Sequence, residues 1–161
     1  MDIKTIQTIQ TETEELLGML GLEGLKPEIE MNSIDNISVD LQAEETGEES
    51  NTGLIIGSRG ETLQALEYIL ALMVNKEREE WIRVNVDVDG YRKKRDDELR
   101  DLAIRMSDKA QFIHDRVELK PMSNHDRRVV HTTLSEIEGI STTSEGEGRR
   151  RHIVITPTSQ Q

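Results

Sequence analysis

The chain has 161 residues and a net charge of −12, and its 34% apolar fraction recurs with clear periods, which excludes wholesale disorder and leaves room for one or two compact domains. The longest apolar run, 65–74, is interrupted by Glu67 and Tyr68 and falls short of the ~18 residues a membrane span requires, so no membrane insertion is expected. Zero Cys removes disulfides, thiol nucleophiles and cysteine metal sites, and four aromatics (Tyr68, Trp81, Tyr91, Phe112) are too few for a platform of stacked rings.

The first segment places Ile6, Ile9, Leu16, Leu17 and Leu20 at helical spacing, which predicts an amphipathic helix stopping near Gly21. Pro27 marks a new start. Ile29 and Met31, then Ile37, Val39 and Leu41, alternate with polar residues on either side of Asp35 and Asn36, which predicts an antiparallel hairpin. After a short acidic loop at 44–50 comes the glycine turn Gly57-Ser58-Arg59-Gly60, followed by Leu63, Leu66, Leu70 and Met73 on one helical face. The segment 81–88 alternates cleanly and predicts a half-buried strand. Read from the residues alone, the first half is helix, strand, strand, glycine turn, helix, strand.

Residues 1–90 hold six basic and twenty acidic side chains, and residues 91–161 hold fourteen and twelve, so the net charge changes from −14 to +2 at a junction without a linker. A long charged helix is predicted over about 92–115, with Leu99, Leu102, Ala103, Met106, Ala110 and Ile113 as its buried stripe. A short strand at 117–119 ends at Pro121, Ser123 or Asn124 caps a helix running through Ile137, and Gly139 closes it. Two extended segments, 140–144 and 152–156, complete the chain around Glu145-Gly146-Glu147-Gly148.

Two places carry chemistry. In Gly57-Ser58-Arg59-Gly60 the glycines let a backbone approach a ligand, the N–H groups at the start of the following helix favour an anion, and Arg59 adds a charge; a plain tight turn is the alternative. The P-loop is excluded because no Gly-Lys pair occurs, and the dinucleotide fingerprint because Gly53, Gly57 and Gly60 are wrongly spaced. In Arg127-Arg128-Val129-Val130-His131, Arg127 and His131 stand four apart on one helical face. A charged fork beside a flat ring suits a phosphate and a base; a solvated arginine and a partly buried histidine are the alternative. His114, His125, His131 and His152 lack metal-ligand spacing, so neither metal nor cofactor is expected. Glu145, Glu147 and His131 include no nucleophile or metal set, so no enzyme activity is expected.

Four stretches in order, LIIGSRGETLQALEYILALMVN, VDVDGYRKKRDDELRDLA, ELKPMSNHDRRVVHTTL and STTSEGEGRRRHIVITP, resemble the Jag (SpoIIIJ-associated) family of bacterial proteins over about residues 53–157. The resemblance implies an α+β chain: a type II KH domain (α-β-β-α-α-β) at 1–90, then a small α/β R-3-H domain at 91–161. It implies cytoplasmic binding of single-stranded RNA; single-stranded DNA stands as the alternative ligand. The contacts it implies are Gly57, Ser58, Arg59 and Gly60 in the KH loop and Arg127 and His131 as the R-3-H pair, to which the neighbouring arginines Arg128 and Arg149 are added. It further implies regulatory roles in cell elongation, division or envelope synthesis, and partnership with a small separate KH protein. Many family members begin with a further small domain, whereas this sequence starts almost directly at the KH helix, so functions resting on that domain are left out of the expectation. The competing reading is a protein-interaction adaptor that meets a basic partner through its acidic KH half.

Overall fold

In a computed structural model that describes residues 3–22, 24–43 and 52–158, the chain opens with α1 (Ile3–Met19), whose buried Ile9, Thr13 and Leu17 repeat every four residues. Thr13 is polar, but its hydroxyl is satisfied by the Ile9 carbonyl at 2.7 Å. Strands β1 (Leu25–Ser33) and β2 (Asn36–Ala43) form the hairpin, and the turn is Ile34-Asp35, one residue earlier than the sequence pattern centres it. Ser33 Oγ donates to Asp35 Oδ1 at 2.6 Å, and that bond holds the Asp35 carboxyl below its ordinary range. Pro27 lies within β1, where it is tolerated because β1 is an edge strand.

Strand β3 (Arg83–Val88) pairs in parallel with β2, setting Val39 opposite Val86, so the sheet order is β1-β2-β3. A parallel pair needs a crossover, and here it is made by α2 (Thr52–Ile56), a 3-10 turn at Ser58–Gly60, and α3 (Glu61–Asn75). Helix α2 is the element the residue pattern leaves out: its five residues are too few to display a helical period, and they read as an apolar approach to the glycine turn. The α-β-β-α-α-β order implied by the family resemblance is the one observed.

The core of this part joins Ile9 and Leu17 of α1, Ile37, Val39 and Leu41 of β2, Leu63, Leu66 and Leu70 of α3, and Val84, Val86 and Val88 of β3. Asn75 is buried but fully used, donating to Ala71 O at 2.7 Å and Ile82 O at 2.8 Å and accepting from Ile82 N at 2.7 Å. It ties the end of α3 to the lead-in of β3. Glu67 closes the outer edge of β3: its carboxylate accepts from Val86 N at 2.9 Å and from Arg92 Nη2 at 2.6 Å, and Arg92 Nε donates to Val86 O at 2.9 Å. Both backbone groups of Val86 on that edge are thereby withheld from a further strand.

The chain divides into two units, Met1–Arg92 and Lys93–Gln161. The second contains most of α4 (Tyr91–Ile113), then β4 (Val117–Glu118), α5 (Asn124–Ser135), β5 (Ile140–Glu145) and β6 (His152–Pro157), with an antiparallel sheet in the order β4-β6-β5. Leu99, Ala103 and Ala110 of α4 share a core with Val130 and Leu134 of α5 and with Ile153 and Ile155 of β6. Ile113, expected in the buried stripe, is 44% exposed because α4 ends there and the chain turns away at His114, which has a φ of 53°. Ser107 takes the place in the stripe that a purely apolar reading misses, its hydroxyl donating to Ile104 O at 2.8 Å. The acidic loop 44–50 lies outside the described residues.

Candidate nucleic-acid interface

Three of the four residues in Gly57-Ser58-Arg59-Gly60 have positive φ: 68° at Gly57, 57° at Arg59 and 83° at Gly60. A Cβ on Gly57 would lie 2.0 Å from Thr62 Oγ1 and 2.7 Å from Thr62 Cβ, so only glycine fits. At Gly60 a Cβ would meet the Tyr91 ring at 3.0 Å. The turn is therefore held tightly from behind, while Ser58 and Arg59 are exposed in front. Gly60 is the N-cap of α3 with no side-chain cap bond, so the positive end of a fifteen-residue helix dipole lies at the turn. Glu61 in the first turn of α3 draws on part of that dipole. Arg59 is the one basic residue between Lys26 and Lys76.

In the second unit, Ser123 caps α5, accepting from Asp126 N at 3.1 Å and donating to Asp126 Oδ1 at 2.9 Å. Asp126 is almost fully buried and receives Arg95 Nη2 at 2.8 Å, which fixes the start of α5 on α4. With that start fixed, Val130 and Leu134 face the core, and Arg127 and His131 share the next face outward. Arg127 is half-buried and held by its own helix start: Nη1 donates to Met122 O at 2.8 Å and Nη2 to Asn124 Oδ1. His131 is exposed, not partly buried, and its Nδ1 is 2.5 Å from Thr142 Oγ1 on β5. That contact leaves Nε2 as the outward nitrogen.

Further bonds link this pair to the β5–β6 hairpin. Met122, which holds Arg127 through its carbonyl, donates its N–H to Arg151 O at 3.2 Å. Arg151 Nε donates to Ser144 Oγ at 2.9 Å. Ser144 and Thr142 are two apart on β5 and share a face. Thr142, Ser144 and Arg151 are partners that the sequence pattern does not single out, since each is brought near the pair by folding alone, whereas Asn124, a cap candidate in the sequence, serves Arg127 instead.

The two flanking arginines take part in none of these bonds. Arg128 is exposed and lines an open groove of about 390 Å³ with Arg100, His125, Val129, Thr132, Thr133 and Glu136, a face about a quarter-turn round α5 from Arg127. Arg149 is exposed in the 3-10 turn Gly148–Arg150 at the hairpin tip. Among the described residues no group of three or more His, Asp or Glu could hold a metal ion, and no helix is long and apolar enough to cross a membrane.

Two family models match the chain: that of the KhpA/KhpB KH domain over residues 26–88 and that of the R-3-H domain over residues 97–157. The chain is 36% identical over 130 residues to the RNA-binding protein KhpB of Clostridium symbiosum, covering 75% of this chain and 59% of that protein. It is 40% identical over 113 residues to the RNA-binding protein KhpB of Bacillus subtilis, covering 69% and 53%. A third relative of the same description, from Lactiplantibacillus plantarum, is 31% identical over 103 residues, 64% of this chain and 32% of that protein. The chain thus spans a little over half the length of the first two of these relatives.

Proposed function

Because the chain belongs to the Jag family of KH and R-3-H domain proteins, which is not an enzyme family, we propose that it binds single-stranded RNA without catalysis through two contact sets, one in each domain. The observation that carries this reading is the glycine turn, whose three positive-φ residues put Ser58 and Arg59 outward at an uncapped helix start. A KH loop of this kind clamps about four nucleotides. Domain limits of 1–90 and 91–161 accompany the proposal. Gly57, Ser58, Arg59 and Gly60 form the first contact set. Arg127 and His131 form the second, Arg127 gripping a phosphate and His131 stacking on or bonding to a base; Arg128 and Arg149 are outlying phosphate contacts. Single-stranded DNA is a competing ligand of the same sites.

The reading extends to a regulatory role in cell elongation, division or envelope synthesis in the cytoplasm, with a small separate KH protein as partner. Tyr68, Ile69 and Leu72 support a protein partner, since they leave an exposed apolar face on α3. One observation favours the adaptor reading: Glu28, Asp40 and Asp87 stand in one row across β1, β2 and β3 on the sheet face away from the core. Burial and the facing Asp87 raise the Asp40 carboxyl above its ordinary range, as in a surface that gains from a cationic neighbour.

Affinity measured against RNA length separates the readings. Arg127→Ala and His131→Ala are expected to leave binding of a four-nucleotide RNA unchanged and to weaken binding of longer strands, His131→Ala by about 1 to 3 kcal/mol. A full loss at four nucleotides, or none at any length, removes the pair from the interface, and no RNA affinity in the parent chain leaves the adaptor reading.

A further inference from the structure

The far end of the glycine turn is braced by a residue outside both domain matches. Strand β3 ends at Val88, and Asp89 and Gly90, with φ of 49° and 68°, turn the chain into α4. Tyr91, the first residue of α4, is half-buried and packs on the core of the first unit. Its side chain fills the place where one on Gly60 would go: a Cβ there would meet Tyr91 Cε1 at 3.0 Å, the hydroxyl oxygen at 3.3 Å and Cζ at 3.6 Å. Arg92 fixes the backbone that carries the ring. Its N–H donates to Asp87 Oδ1 at 3.2 Å, its Nε to Val86 O at 2.9 Å, and its Nη2 to Glu67 Oε2 on α3 at 2.6 Å. Both residues fall after 88, where the KH match ends, and before 97, where the R-3-H match begins. The turn needs such a brace. Arg59, at φ 57° and ψ 31°, holds a left-handed backbone that persists only where the surroundings enforce it. Thr62 closes off the Gly57 end. Gly60 has neither a Cβ nor a side-chain cap bond to limit it, and the three atoms nearest the place of its missing Cβ all belong to Tyr91.

Resting on the RNA-binding reading above, we propose that Tyr91 is a positioning residue of the KH site, so that the segment joining the two domain matches is part of that site. Its side chain backs Gly60 and keeps the turn in the shape that presents Ser58, Arg59 and the first N–H groups of α3 to a phosphodiester. Tyr91 touches no RNA itself. It raises the fraction of molecules whose turn is ready for a strand, and the apparent dissociation constant varies inversely with that fraction. A turn ordered in advance also loses less freedom on binding.

The test is affinity of the full chain for a four-nucleotide RNA, which reads the KH loop alone. The variants are Tyr91→Phe, Tyr91→Leu and Tyr91→Ala, beside the loop double change Ser58→Asp with Arg59→Asp and a core control on α1, Ile9→Val. Tyr91→Phe keeps the ring and should bind within about twofold of the parent, whereas Tyr91→Ala should bind roughly tenfold more weakly, as when about one molecule in ten has a ready turn. Tyr91→Leu should fall between. Without RNA, amide exchange in Tyr91→Ala should quicken over residues 58–61 while β2 stays protected. Ile9→Val should lower the unfolding midpoint and leave affinity within about twofold. If the loop double change abolishes binding while Tyr91→Ala stays near the parent, the proposal falls with the RNA-binding reading intact. It falls also if Ile9→Val weakens binding as much as Tyr91→Ala, which would mean general loosening, or if Tyr91→Phe does, which would assign the effect to the hydroxyl. Weaker binding with unaltered exchange at 58–61 would make Tyr91 a direct contact and overturn the positioning role. If the parent does not bind, or the loop double change is silent, the RNA-binding reading of the loop fails and this inference with it. Should Tyr91→Ala not fold by circular dichroism, Tyr91→Leu decides, and parent-like affinity there overturns the proposal.

Discussion

Alanine substituted in turn at Gly53, Gly57 and Gly60 should give three different outcomes within eight residues. At Gly57 the backbone has φ 68° and ψ −162°, a region nearly restricted to glycine, and occupying it with alanine costs about 1 to 3 kcal/mol. The added Cβ would also lie 2.0 Å from Thr62 Oγ1, 2.7 Å from Thr62 Cβ and 3.1 Å from Thr62 N. Rotating the threonine moves only the first of these, so an overpacking cost of about 1 to 3 kcal/mol adds to the strain. The sum, roughly 2 to 6 kcal/mol, is a large fraction of a domain's usual stability of about 5 to 15 kcal/mol. Gly60, at φ 83° and ψ 10°, meets the edge of the Tyr91 ring, which can shift, so its cost is the left-handed penalty of about 1 to 2 kcal/mol. Gly53 lies in α2 with nothing within 4 Å of an added Cβ, and alanine there should stabilise by about 0.5 to 1 kcal/mol. Urea unfolding followed by the fluorescence of Trp81, the only tryptophan, reads the first unit directly. A Gly57→Ala midpoint equal to or above that of Gly53→Ala would refute the account of the turn.

Placing Asp at both Ser58 and Arg59 should reduce RNA affinity roughly tenfold or more at an unchanged unfolding midpoint, because both side chains are exposed and Asp tolerates the left-handed backbone of Arg59; unchanged affinity in the folded variant removes the loop from the interface. Roughly four phosphate contacts at ~0.7 each give a log–log salt slope near −3 on single strands, and a measured slope near −8 would require a broad basic surface instead. Asp126→Ala removes both the Ser123 cap partner and the nearer carboxylate partner of Arg95, which keeps Glu98, and should destabilise the second unit by about 2 kcal/mol, read as faster amide exchange across α4 and α5; unaltered exchange there would show that the pair is not what fixes α5. Asp40 has a folded pKa raised by burial and by Asp87, so its charged form disfavours folding above that value and the cost fades as pH falls. Asp40→Asn should therefore raise stability at pH 7 by at most about 0.5 kcal/mol after solvent screening, with the gain gone below about pH 4; a gain that persists in acid contradicts the electrostatic cause.

Strong periods carry most of the fold in the sequence. The valines at 84, 86 and 88 mark a strand buried on one face, and Leu63, Leu66 and Leu70 mark a helix, because each set answers a single demand: one face toward one core. Helix α2 is invisible to such reasoning, since five residues with one buried side chain, Ile55, fit a strand equally well. Polar residues with inward duties escape for a related reason. Asn75, Glu67 and Asp126 look like surface residues until folding brings Ile82, Val86 and Arg95 to them. The site divides in the same way: a glycine turn and an i,i+4 pair are local features and can be read locally, whereas Arg151 reaches Arg127 and His131 only through the pairing of β5 with β6 and the Met122 bond. In sequence, Arg149, Arg150 and Arg151 stand in a row with nothing to rank them.

An excess of fourteen negative charges in residues 1–90 looks hostile to a phosphate chain until its placement is considered. The sheet of this unit has two unlike faces. One packs on α1 and α3, and the other carries Glu28, Glu30, Asp40 and Asp87. The glycine turn joins α2 to α3 and so belongs to the helix layer. A helix layer stands about 10 Å from the sheet it covers, and salt screens charge over ~8 Å at physiological strength, so the carboxylate rows act weakly at the turn. Nearer acids are partly occupied, as Glu67 is by Arg92 and Val86 N. At the turn itself stand Arg59, the N–H groups of α3, and Glu61 against them. Such a surface gives little long-range attraction and rewards only a strand whose backbone follows the turn closely. On the RNA-binding reading proposed above, the acidic body discourages indiscriminate contact with nucleic acid and leaves affinity to local geometry.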